Sequence, residues 1–119
     1  MATAKDFVMR ISSISGVSGC VLVREDGEVL GSSLEDPDLY ASLMIPGRNL
    51  ARDIMGNVGF SHCRYLGFNR EGKEHFYLFL IDKFLLGLVQ APDCHVPDML
   101  QAVTRLVGRV TTGGSSVKA

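Results

Sequence analysis

The run Cys20-Val-Leu-Val-Arg-Glu-Asp-Gly-Glu-Val-Leu-Gly31 constrains the fold more than any other part of the chain, because it encodes a hairpin whose strands are apolar on both faces. With Asp26-Gly27 as the central pair of a type I′ turn, whose twist matches that of paired strands, Glu25 stands opposite Glu28, Arg24 opposite Val29, Val23 opposite Leu30 and Leu22 opposite Gly31. That register places Val21, Val23 and Leu30 on one face, and Cys20, Leu22 and Val29 on the other. A sheet that is apolar on both sides must be covered on both sides.

The remaining sequence supplies the cover. Phe7, Val8, Ile11 and Ile14 recur at helical spacing and predict a first helix that stops near Ser15-Gly16. Gly16-Val-Ser-Gly19 could be read as a phosphate loop, but such a loop runs from strand to helix and this one runs from helix to strand, without the lysine that would contact phosphate. A turn is the simpler reading. After the hairpin, Glu35-Asp-Pro-Asp38 suits a helix start, and Leu39 to Met55 predicts a second helix with two apolar stripes: Leu39, Leu43, Leu50 and Ile54, and beside them Tyr40, Met44, Ala51 and Met55. That face is wider than a single sheet contact requires, which fits either a well-buried core helix or a helix that packs on its own sheet and on another subunit.

Three more strands are expected at Ser61 to Phe68, Glu74 to Ile81 and Phe84 to Val89, joined by Asn69-Arg-Glu-Gly72 and by Asp82-Lys83. The last two are nearly all apolar and read as central strands. Ser61 to Phe68 is mixed, with His62 and Arg64 on one face and Cys63 and Tyr65 on the other, and reads as an edge that needs protection or a partner. Pro97 opens a last helix with Met99, Leu100, Val103, Leu106, Val107 and Val110 on its apolar face, and residues 111–119 read as a flexible tail behind a single domain of residues 1–110.

The 119 residues carry a formal net charge of −1, which gives no basic footprint for nucleic acid or for an anionic membrane. The three cysteines are widely spaced and odd in number, the pattern of a reducing, cytoplasmic compartment. The N-terminal residues lack the apolar core of a signal peptide, and no membrane span is expected. Cys20, His62, Cys63, His75, Cys94 and His95 show no metal-ligand spacing, and Glu35, Asp36 and Asp38 read as a solvated helix start. Cys94-His95, just before the last helix, is the one candidate for nucleophilic chemistry, against a plain loop role. No cofactor or metal is called for, and no enzyme is expected.

The element order is helix, two strands, helix, three strands, helix. In Ile14-Ser-Gly-Val-Ser-Gly-Cys-Val-Leu-Val-Arg-Glu-Asp-Gly-Glu-Val-Leu-Gly-Ser-Ser33 and in the stretch from Phe76 through Leu100, the chain resembles the Roadblock family of dynein light chains and bacterial GTPase regulators over about residues 4–109. The resemblance implies an α/β, profilin-like three-layer sandwich: a five-stranded antiparallel sheet with the middle helix on one face and the terminal helices on the other. It further implies a homodimer, or a heterodimer with a paralogous Roadblock protein, in which middle helices pack together and third strands pair edge to edge. The dimer residues would be Leu39, Leu43, Leu50, Ile54, His62, Arg64 and Leu66. It also implies a small Ras-like GTPase as partner, docking through Arg48, Asn49, Arg52 and Asp53. A small-ligand sensory domain is the alternative function. One departure from the family pattern is Pro46-Gly47 inside the middle helix: an interior proline costs about 3 kcal/mol and a glycine about 1, so a kink or two helices meeting at Ile45-Pro46 is expected.

Overall fold

The structure, a computed structural model, describes residues 3–59, 65–69, 74–81, 83–92 and 94–112, with side chains through residue 108. Helix α1 (Ala4–Ser12) leads into strands β1 (Val17–Arg24) and β2 (Val29–Ser32), followed by α2 (Pro37–Val58), β3 (Tyr65–Phe68), β4 (Phe76–Ile81), β5 (Phe84–Gln90) and α3 (Val96–Thr112). The five strands form one antiparallel sheet in the order β2-β1-β5-β4-β3. The nearly all-apolar strands β4 and β5 are central, together with β1, while β2 and β3 are the edges. The expected strand from Ser61 is described from Tyr65 onward; His62 and Arg64 lie outside the described residues.

The two apolar faces are covered by different helices. Phe7, Val8 and Ile11 of α1 and Met99 and Val103 of α3 pack with Cys20, Leu22, Tyr77, Phe79, Leu86 and Leu88. On the opposite face, Met44 of α2 packs with Val21, Val23, Phe76, Leu78, Leu85 and Val89. The architecture is therefore the three-layer α/β/α sandwich that the sequence resemblance implied.

Helix α1 is fixed at its start by a device absent from the periodicity reading. The Asp6 N–H donates to Thr3 Oγ1 (3.1 Å) and the Thr3 N–H donates to Asp6 Oδ2 (3.2 Å), closing a capping box with an aspartate in place of the usual glutamate or glutamine.

The hairpin differs from the expected type I′ turn. Arg24 exchanges bonds with two residues: its carbonyl accepts from the Gly27 N–H (2.8 Å) and its N–H donates to the Glu28 carbonyl (2.8 Å). Gly27 has φ +98°, so the loop ends in a left-handed glycine that adds a bulge. A second irregularity falls between Leu22 and Val23, which pair with Gly31 and Val29 respectively. The consequence is an exchange of faces. Leu30, expected beside Val21 and Val23, packs instead with the Cys20 and Leu22 cluster, and Val29 joins Val21 and Val23.

Of the two outcomes expected at Pro46, two separate helices are not found: α2 is one helix of 22 residues with Pro46 inside it. Pro46 is exposed, on the side away from the sheet, whereas Gly47 is buried against it. A proline on the solvent side bends a helix away from its own ring, which is the curvature that wraps a helix round a core. Gly47 lets the backbone come close: a Cβ there would lie 3.1 Å from Leu78 Cδ2.

Candidate functional site

The apolar stripe of α2 is the candidate site. Of the two stripes read from the sequence, the one containing Met44 and Ala51 is buried against the sheet and the other is not. Leu39, Leu43, Leu50 and Ile54, continued by Val58 at the end of the helix, are each 51–63 % exposed. The sheet is covered by Met44, Gly47 and Ala51 because small residues there bring α2 near enough to seal Val21, Leu78 and Leu85 without the outer stripe. Five large side chains are left facing out along one helix. Exposed large apolar residues scattered singly are ordinary, but aligned ones mark interaction surfaces.

Strand β3 borders the same region as an edge of the sheet. Leu66 is partly buried on the α2 face against Leu78, with which it pairs, while Tyr65 and Phe68 are exposed. Tyr65 leans on Phe79 (5.3 Å between ring centroids), and Phe68 lies 6.1 Å from Phe76. Among the described strands β3 is thus an edge that presents ring surface.

The four residues read as a partner surface separate into two flanks of α2. Asn49 and Asp53 are exposed beside the Leu50 and Ile54 stripe. Arg48 and Arg52, one turn apart, lie about half a helix circumference from Leu50. Arg52 is exposed, but Arg48 is half-buried and reaches back over the hairpin, its Nη1 donating a long bond of 3.4 Å to the Glu25 carbonyl. Its Nε is enclosed with no hydrogen-bond partner among the described residues. Spacing alone missed this because Arg48 meets the hairpin only once α2 is docked across the sheet.

Gly16, Gly19, Cys20, Cys94 and His95 are the other candidates whose surroundings are described. Gly19 lies inside β1, and the Gly16 carbonyl accepts from the Ala91 N–H (2.7 Å), so this segment links β1 to the end of β5. Cys20 is buried; its thiol lies 3.4 Å from Ser12 Oγ and 3.5 Å from the Val8 carbonyl, to which it donates, and burial pushes its pKa up. Burial also pushes up the Cys94 thiol, opposite to the shift that activates a nucleophile. His95 Nδ1 sits 3.0 Å from Asp98 Oδ2 at the mouth of an open groove of about 550 Å³, also lined by Gly16, Ala91 and Cys94. Among the described residues, no group of three or more His, Cys, Asp or Glu could hold a metal ion, and no helix is long and apolar enough to cross a membrane.

The sequence matches no protein-family model and no curated protein. The three-dimensional structure does find counterparts. MglB of Myxococcus xanthus superposes with a TM-score of 0.77 at 12 % identity, over 88 % of this chain and 82 % of that one. A Roadblock/LC7 domain from Streptomyces avermitilis superposes with a TM-score of 0.77 at 14 % identity, over 92 % and 95 % of the two chains. This chain has the Roadblock/LC7 fold. The gliding protein MglB of Thermus thermophilus shares it too, with a TM-score of 0.71 at 13 % identity over 92 % of this chain and 88 % of that one. At this identity the Roadblock/LC7 fold is kept by the placement of apolar residues and turns, and side chains on its surface are this chain's own.

Proposed function

We propose that this chain is a non-catalytic interaction module that self-associates through α2 and the β3 edge and regulates or scaffolds a small Ras-like GTPase. The observation that carries the first part is the exposed stripe Leu39, Leu43, Leu50, Ile54 and Val58. Fully burying a leucine or isoleucine gains about 1.5–3 kcal/mol, so more than half-exposed side chains in a row hold several kcal/mol for whatever covers them. The Roadblock/LC7 fold supports the second part through the sequence resemblance to GTPase-regulating Roadblock proteins, and a solved MglB is described with a tetrameric arrangement. Regulators of this kind act by docking and reshaping the GTPase, which needs a surface rather than a catalytic constellation.

Light scattering at micromolar concentration tests self-association: a dimer is expected for the native chain, and a monomer or aggregate for Leu50→Glu, because an unpaired ion is costly to bury. A monomeric native chain would overturn it. Pull-down from native extract, probed for a co-purifying small GTPase, tests the partner class. A small-ligand sensor is the second reading, favoured by the groove that His95 and Asp98 border. Mass spectrometry finding a stoichiometric small molecule on the purified protein would favour it over the interaction module.

A further inference from the structure

We infer that the groove between α1 and the β2 edge is a docking site for an extended peptide segment, which adds antiparallel to β2 and sets an apolar residue and, two positions later, an acidic one against α1. The surface lies on the side of the sheet opposite α2 and is independent of the function proposed above. The groove has a volume of about 380 Å³, with buried Val8 at its floor and exposed Lys5 and Met9 along α1. Gly31 keeps it open. A Cβ there would stand 3.2 Å from Val8 Cγ2 and begin to fill the gap. At the other end, Ser12 Oγ meets Ser33 Oγ (2.8 Å) and joins α1 to the residue after β2.

The backbone and the charge of the groove choose the occupant. The Ser33 N–H donates to the Cys20 carbonyl (2.9 Å) and Gly31 pairs with Leu22, so ladder alternation turns the Ser32 N–H and C=O away from β1. Among the described strands β2 ends the sheet there, which is where an extended peptide can add a strand. Lys5 is the one charged residue lining the groove, and it makes no ion pair among the described residues; it therefore selects a carboxylate. Lys5 and Met9 stand one turn apart, about 6 Å along the helix, close to the rise of about 6.8 Å between alternate residues of a strand. Direction follows from the ends. Gly31 lies against Ala4 and Val8, and Ser33 against Ser12, so β2 runs the same way as α1. A segment antiparallel to β2, the slightly more stable pairing, meets Met9 before Lys5 and carries its apolar residue before its acidic one.

Fluorescence anisotropy on the full chain tests the site, with a labelled, end-blocked hexapeptide of serine, threonine, leucine, threonine, aspartate and threonine in that order. Saturable binding is expected. Lys5→Glu, which keeps an acid-tolerant first helical turn, is expected to weaken it at least fivefold, and a peptide with lysine in place of aspartate is expected to recover the loss on that variant. In the inferred register the threonine between leucine and aspartate lies opposite Ser32 and bonds to it through its backbone, whereas the leucine amide points away. N-methylation of that threonine is therefore expected to abolish binding, and N-methylation of the leucine to leave it within about threefold. Absence of saturable binding, indifference to Lys5→Glu, or equal loss from the two methyl groups would overturn the inference. So would a lower light-scattering mass of the unliganded Lys5→Glu chain than of the native one, which would give the groove to a second copy.

Discussion

Gly47 of α2 lies against Leu78 of β4 so closely that a Cβ on the glycine would stand 3.1 Å from Leu78 Cδ2. That approach decides which stripe of α2 is buried. It predicts that Gly47→Leu lowers unfolding free energy by about 2 kcal/mol, the usual cost of overpacking. Gly56, in the same helix, has nothing within 4 Å of where its Cβ would be, so Gly56→Ala is expected to stabilise by about 1 kcal/mol through helix propensity. Urea denaturation of both variants checks the contrast; equal effects would mean that Gly47 is not packed.

The hairpin tip predicts a pH dependence. Arg24 Nε lies 3.1 Å from both Asp26 oxygens and Nη2 2.6 Å from Oδ2, and the Glu28 N–H donates to Oδ1 (3.0 Å). First the Arg24 bond and then the Glu28 N–H hold the Asp26 carboxyl below the ordinary aspartate range. The unfolded chain, with its higher aspartate pKa, binds the proton first as pH falls. The stabilisation is complete above the ordinary range and is lost as pH drops through the depressed folded value. Carboxyl NMR titration is expected to show a low Asp26 midpoint that rises in Arg24→Gln; an unchanged midpoint in that variant would dismiss the pairing.

Cys20 should behave as a core residue. With its thiol buried and its pKa raised, labelling of a Cys63→Ser, Cys94→Ser protein by a thiol reagent is expected to run about a hundredfold or more slower than free cysteine, and to accelerate with urea. Rapid labelling in native buffer would contradict the packing of α1 on β1.

The two arginines of α2 differ in environment, and the partner surface can be tested through that difference. On the function proposed above, double charge reversal at Arg48 and Arg52 is expected to weaken capture of a partner GTPase at least tenfold, about 1.4 kcal/mol, without changing the oligomeric state of the native chain. Arg52→Glu alone is expected to account for most of the loss, since Arg52 is exposed while Arg48 is half-buried over the Glu25 carbonyl. Unchanged capture by an intact dimer would move the docking site elsewhere.

The element order, the central position of the two most apolar strands and the need for helices on both faces were legible in the chain, because these follow from side-chain period and turn residues that act locally. Thr3 and Asp6 carried a capping signal that periodicity did not use, although their spacing was visible. Other features arose only from packing in three dimensions. The faces of Val29 and Leu30 were set by two backbone irregularities that shift register by a residue, and a shift of one residue reverses every side chain after it. The continuity of α2 through Pro46 was set by the tertiary structure, and the exposure of Leu39, Leu43, Leu50 and Ile54 in place of Met44 and Ala51 goes with the close approach of Gly47 to Leu78. Both stripes are apolar in the chain; only docking, through the smaller residues that permit the closer contact, determines which one faces outward.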